Sequence, residues 1–112
     1  QVAKTLANLG AATAQLGDAA TAKILFERTL AIEERIYGAS HLQMAKTLGN
    51  LGSAHRQLNN DSEAQAPFER ALAIQERQLG SAHPEVAITR INLAATLVAQ
   101  GQSTLALHHL QL

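Results

Sequence analysis

An internal repeat of about 42 residues is the feature that most constrains how this chain of 112 residues can fold. The segment Ala3-Lys4-Thr5-Leu6 returns as Ala45-Lys46-Thr47-Leu48, and about half of the positions in the first unit are identical in the second. A weaker third copy follows. Repeats with a period of roughly 20–50 residues indicate supersecondary units that stack on one another. We predict a single domain, divided into repeat one at 1–42, repeat two at 43–84 and a partial repeat three at 85–112.

Apolar residues recur at helical spacing in both halves of each unit. Intervals near three, four and seven residues place side chains on one face of an α-helix. The stripe of the first half consists of Val2, Leu6, Leu9 and Leu16 in repeat one, and of Met44, Leu48, Leu51 and Leu58 in repeat two. This pattern predicts an all-α fold with helices near 2–16, 19–37, 43–58, 61–79 and 84–100, and a sixth from about 103 to the end.

Helix-ending and helix-starting residues stand between these segments. Gly17 and Asn59 occupy matching positions after the first helix of a repeat, where a left-handed backbone conformation is expected. Asn60 and Glu63 have the spacing of a capping box. His41 and, one repeat later, a second histidine lie in the link between repeats, which favours local packing or capping as their role.

Small and large residues recur at fixed sites of each unit. They are Leu9, Gly10, Gly17, Ala22, Phe26 and Leu30 in repeat one, Leu51, Gly52, Asn59, Ala64, Phe68, Ala71 and Leu72 in repeat two, and the link Gly80-Ser81-Ala82-His83-Pro84. Together these residues resemble the tetratricopeptide repeat, in the longer variety found in kinesin light chain and in many bacterial and signalling proteins. The resemblance covers essentially the whole chain. Repeat three departs from it, because Arg90 stands where Leu6 and Leu48 stand, and Leu110 replaces the phenylalanine.

The resemblance implies an α-solenoid of stacked antiparallel helix pairs, whose first helices line a concave groove. Asn8, Asn50 and Asn92 then form a ladder with one amide per repeat. Similar proteins use an asparagine at this position to pair with the backbone of an extended peptide, because its amide both donates and accepts. The peptide-binding residues that we predict are Lys4, Asn8, Lys46, Asn50, Ser53, Arg56, Gln57, Ile88, Ile91 and Asn92.

Other interpretations of these residues stand beside the first. The asparagines could bridge adjacent helices by hydrogen bonds instead of contacting a ligand. Lys4 and Lys46 could be solvated surface charges, or they could favour an acidic stretch of the ligand. Ile88, Ile91 and Val98 could form an apolar pocket for a ligand side chain, or they could cover a further repeat.

Composition argues against several classes of protein. The formal net charge is zero and only three residues are aromatic, whereas a nucleic-acid-binding domain usually carries a basic surplus. Cysteine is absent, and the histidines lack zinc-binding spacing. Glu33, Glu34, Glu69 and Glu76 are predicted to be surface charges. We therefore predict no enzyme activity, no cofactor, no metal, no nucleic-acid partner and no membrane partner, and a cytoplasmic location.

The first functional hypothesis is a module that binds an extended peptide of a partner protein. The alternative is a structural scaffold of a longer protein, because the chain begins without methionine and its C-terminal segment carries Leu105, Leu107, Leu110 and Leu112. A terminal repeat normally has a polar outer face, so these leucines predict self-association or fraying. A clamp for the acidic tails of chaperones fits less well, since Ile88 and Asn92 stand where basic residues are needed. A sensor domain attached to an enzyme also stays open.

Overall fold

A computed structural model describes residues 2–111, and the side chains of all of these except 103, 104 and 111. The six helices of this part of the chain follow one another as three hairpins, and each hairpin packs on the next through its second helix. They are α1 (Val2–Gln15), α2 (Ala19–Tyr37), α3 (Leu42–Gln57), α4 (Asp61–Leu79), α5 (Pro84–Ala99) and α6 (Ser103–Gln111). The all-α solenoid is confirmed, and the predicted helix ends are correct to within about one residue.

The turns inside the hairpins use the left-handed conformation that the sequence predicts. Gly17, Asn59 and Gly101 have φ angles of 87°, 63° and 79°. Asn59 is the one residue of the three that has a Cβ, and asparagine tolerates this conformation better than most residues. Asp18 then starts α2 by accepting a hydrogen bond from the backbone N–H of Thr21 at 3.1 Å. Hydrogen bonds from the side chain and backbone of Thr21 lower the pKa of Asp18.

The links between repeats are closed by histidine caps. His41 Nδ1 accepts a hydrogen bond from the backbone N–H of Gln43 at 3.0 Å, and His83 accepts the equivalent bond from Glu85 at 3.1 Å. The capping role expected for these histidines is therefore confirmed. The capping box expected at Asn60 is wrong, because its side chain makes no cap hydrogen bond.

The core consists of clusters that join one repeat to the next. Phe26 packs with Leu51 of α3, and Phe68 packs with Val86, Leu93 and Leu97 of α5. Each ring also lies against a glycine of its own hairpin, since a Cβ built on Gly10 or Gly52 would be 2.7 Å or 2.8 Å from the ring. The glycines therefore leave room for the phenylalanines, and the phenylalanines fill the space between repeats.

The apolar stripe predicted for the first helix is buried in repeat two but not in repeat one. Leu9 is 52% exposed and Leu16 is 85% exposed, whereas Leu51, the counterpart of Leu9, is 6% exposed. The reason is positional: α2 covers this face of α3, whereas no described helix precedes α1. At the other end, Leu105, Leu107 and Leu110 are exposed as well, and Leu112 lies outside the described residues.

Repeat three keeps its packing despite its departure from the repeat pattern. Arg90, which replaces a leucine, is buried and donates a hydrogen bond from Nη2 to Oε2 of Glu76. This ion pair offsets part of the cost of burying the guanidinium, whose Nε makes no hydrogen bond within the described residues. It also corrects the prediction for Glu76, which is a partly buried partner of Arg90 and not a free surface charge.

Candidate functional site

Two equivalent cavities open between successive first helices of the repeats. The first groove lies between α1 and α3 and has a volume of about 500 Å³. The second groove lies between α3 and α5 and has a volume of about 480 Å³. The residues of α1 that line the first groove are the counterparts, about 42 residues earlier, of residues of α3 that line the second groove. The fold therefore builds the same kind of groove twice.

A third, smaller cavity of about 340 Å³ lies at the C-terminal part of α3. Nine of the ten residues predicted to bind a peptide line at least one of the three cavities. The first groove includes Lys4, Asn8, Lys46 and Asn50, the second includes Lys46, Asn50, Ser53, Ile88 and Asn92, and the third includes Ser53, Arg56, Gln57 and Asn92. The structure thus brings these residues to one face of the solenoid, and whether they bind a peptide remains a prediction.

Ile91 is the predicted residue that lines none of these cavities. It is 57% exposed on α5. Its counterparts are Ala7, which lines the first groove, and Gly49, which lines the second. Both of those residues face the first helix of the following repeat. Ile91 lacks such a neighbour in the described part of the chain, so it faces open surface.

The asparagine ladder is present, and its amides are available to a ligand. Asn8 is exposed, and Asn50 and Asn92 are half-buried. Among residues 2–111, no hydrogen bond is formed by the side-chain amide of any of these three asparagines. Bridging between adjacent helices would require such bonds, so the geometry favours the ligand interpretation. Asn50 has the central place because it lines both grooves.

The basic residues of the site differ in exposure and in their ion pairs. Lys4 and Lys46 are exposed at the rim of the first groove. Arg56 is half-buried, and its Nε lies 3.4 Å from Oδ1 of Asp61 at the start of α4. Part of its charge is therefore neutralised within its own hairpin. The attraction for an acidic ligand expected from Arg56 is correspondingly reduced.

Glu33 is a residue of the site that the sequence analysis placed wrongly. It was predicted to be a surface charge, but it is 2% exposed and lines the first groove. Its counterpart Gln75 lines the second groove and is also buried. The sequence did contain a signal of this burial, because repeat two has a neutral glutamine at the position of Glu33. A position that accepts both a charged and a neutral residue need not face solvent.

Within residues 2–111, no cluster of three histidine, cysteine or acidic side chains is arranged to hold a metal ion. No helix described by the structure is both long and apolar enough to cross a bilayer.

Comparison with known proteins places the fold. No curated protein matches the sequence. The crystal structure of BtubC (BKLC) from P. vanneervenii is similar over 98% of this chain and 44% of its own, with a TM-score of 0.90 and 28% identity. Two crystal structures of a putative kinesin light chain from Podospora anserina, with nearly identical TPR-like repeats, are 26% identical. Their TM-scores are 0.85 and 0.84, and the similarity covers 96% of this chain and 51% of theirs.

This chain therefore spans about half the length of the solved structures that it resembles. The sequence profile of the tetratricopeptide repeat matches residues 1–77 and 63–112, which together include the whole chain. The helix pairs, the glycine–phenylalanine contacts and the period of the repeat agree with that match. The chain belongs to the tetratricopeptide repeat family, in the long variety carried by kinesin light chain-like proteins.

Proposed function

We propose that this protein binds an extended peptide segment of a partner protein along the two grooves, without catalysing a reaction. Members of the tetratricopeptide repeat family mediate protein–protein interactions. The observation that supports a peptide ligand here is the ladder of Asn8, Asn50 and Asn92, whose amides make no hydrogen bond within the described residues. Each amide can both donate to and accept from a peptide backbone. A cytoplasmic partner protein fits this proposal.

The rim charges indicate which peptides would bind best. Lys4 and Lys46 flank the first groove and would favour acidic residues on the ligand. Exposed charges of this kind contribute little affinity but guide orientation and association. Ile88 adds an apolar surface on the wall of the second groove, where Lys46 stands in the first. An extended ligand with acidic residues at one end and an apolar side chain at the other fits this distribution.

Asn50→Ala is expected to weaken peptide binding by about threefold to tenfold or more, because one or two hydrogen bonds are lost. The ligand is a peptide selected from a random decapeptide display library on the wild-type protein. Isothermal titration calorimetry gives the dissociation constants. Gln78→Ala removes an exposed amide that lines none of the cavities, and it should leave binding unchanged. Equal affinity of the wild type and Asn50→Ala would show that the asparagine ladder does not hold the peptide.

A second candidate function is assembly through the ends of the solenoid. The observation that favours it is the exposed stripe of α1, which includes Val2 and Leu9. The counterparts of these residues in α3, Met44 and Leu51, are buried in clusters to which Leu30 and Phe26 of α2 contribute. At the opposite end, Leu110 of α6 is exposed at the position where Phe68 of α4 packs on α5. The two ends therefore offer the same pair of surfaces that already pack inside the molecule.

Leu9→Glu tests this second function, because a charge in the α1 stripe would block head-to-tail packing. Sedimentation velocity should show concentration-dependent association of the wild type and a monomer for Leu9→Glu. The thermal melt at low concentration should be the same for both proteins. A wild type that stays monomeric at high concentration would rule out assembly and leave peptide binding untouched.

A further inference from the structure

The first groove contains a buried carboxylate, one oxygen of which lacks a hydrogen-bond partner among residues 2–111. Glu33 of α2 is 2% exposed, and within the described residues its Oε1 accepts no hydrogen bond. An ionised carboxylate can only accept hydrogen bonds. Leaving such a group buried without a donor is unfavourable. A hydrogen-bond donor that enters the groove would therefore stabilise Glu33.

The second groove shows how the equivalent position is satisfied. Gln75 replaces Glu33 there, and its Oε1 accepts a hydrogen bond from the hydroxyl of Thr89 at 2.5 Å. Thr47 is the counterpart of Thr89 and lines the first groove, but no hydrogen bond joins it to Glu33 in the part of the chain that the structure describes. The two grooves thus have similar walls but differ at this buried position. The second groove has a neutral amide that is hydrogen-bonded, and the first groove has a carboxylate oxygen without a hydrogen-bond donor from the described chain.

The size of the first groove and the nature of its acceptor together define the missing group. The volume of about 500 Å³ far exceeds the roughly 30 Å³ of one water molecule, so a long side chain can enter. A guanidinium is planar, carries several donors and stays charged at all physiological pH values. Its donor fork matches the two oxygens of a carboxylate better than a lysine ammonium does.

We propose that the first groove takes an arginine side chain of the bound peptide, whose guanidinium donates to Glu33. This inference rests on the peptide-binding function proposed above and names the residue that the first groove selects. Lys4 and Lys46 at the rim are exposed, so solvent screens their repulsion of the guanidinium. They favour acidic residues next to the arginine. The preferred ligand is therefore a peptide with an arginine flanked by acidic residues.

Parallel selections from a random decapeptide display library test this preference. The wild type, Glu33→Gln and Glu27→Gln are used as targets. Glu33→Gln places in the first groove the residue that the second groove already holds, so the fold should be kept, which a thermal melt verifies. Glu27→Gln removes an exposed carboxylate of the same helix that lines none of the cavities. Arginine should be enriched at one position on the wild type and on Glu27→Gln, and that enrichment should vanish on Glu33→Gln.

A double-mutant cycle then locates the contact. The selected peptide is synthesised with arginine or with its uncharged analogue citrulline, and both are titrated against the wild type and Glu33→Gln. Either change alone should weaken binding by about tenfold or more, because a hydrogen bond between charged groups is lost. The second change should then add little. Independent effects of the two changes, or the same arginine preference on Glu33→Gln, would overturn the assignment.

The two proposals fail in different ways. If Asn50→Ala weakens the selected peptides while Glu33→Gln changes neither affinity nor sequence preference, peptide binding stands and the arginine contact is wrong. If Asn50→Ala and Glu33→Gln both leave the affinity unchanged, the grooves do not bind the peptide and both proposals fall.

Discussion

Phe68→Ala is expected to lower the free energy of unfolding by about 3–5 kcal/mol, the usual range for removing a buried phenylalanine. The ring is 1% exposed and packs with Leu72 of its own helix and with Val86 and Leu93 of α5. It also lies against Gly52 of α3. One side chain therefore holds three helices together. The cavity left by the substitution cannot close without moving α5 relative to the hairpin formed by α3 and α4.

Urea denaturation followed by circular dichroism measures this loss. The control is Leu16→Ala, which removes a large apolar side chain that is 85% exposed. Substitutions of that kind usually change stability by no more than about 0.5 kcal/mol. An unfolding curve of Phe68→Ala that overlays that of the wild type would mean that the ring does not join the repeats.

Gly52→Ala is expected to destabilise the protein, although alanine is the better helix former. A Cβ at this position would lie 2.8 Å from Cε1 and Cζ of Phe68. That ring is 1% exposed and packs with Val86 and Leu93, so it can yield only by disturbing their cluster. Overpacking of a core costs about 1–3 kcal/mol. The advantage of alanine over glycine within a helix, about 1 kcal/mol, offsets only part of that loss.

Gly49→Ala is the matched control in the same helix. A Cβ on Gly49 would meet nothing within 4 Å. Only the helix-propensity term then acts, and it should stabilise the protein by up to about 1 kcal/mol. The two substitutions are chemically identical and are expected to have opposite signs in the same denaturation assay. Stabilisation by both would show that Phe68 has room to move.

Much of the fold could be predicted from the repeat. Helix ends followed from Gly17, Asn59 and the links between repeats, because these residues act through their own backbone conformation. Phe26 and its counterpart in repeat two stood among the residues that match the family pattern, and they fill the space between repeats. The same helical spacing and the same helix-ending positions occur in both repeats, so the sequence predicts the helices well.

The site was predictable only in part. The resemblance implied that the first helix of each pair faces the groove, and nine of the ten residues predicted on that basis line the cavities. Ile91 does not, because a groove needs a second wall that the described chain lacks beyond α5. Glu33 was missed because a carboxylate on a helix is ordinarily at the surface. Only the packing of α2 between α1 and α3 buries it.

The sequence by itself determined the period, the helices and the residues that end them, since these depend on interactions among neighbours in the chain. The tertiary structure decided which apolar stripes are covered, which amides lack partners and where a carboxylate is buried. The same residue types at equivalent positions differ in these respects: Leu9 is exposed and Leu51 is buried. The physical reason is that burial is a property of the helix packed against a residue, and a repeat specifies its own helices without specifying what lies beyond its ends.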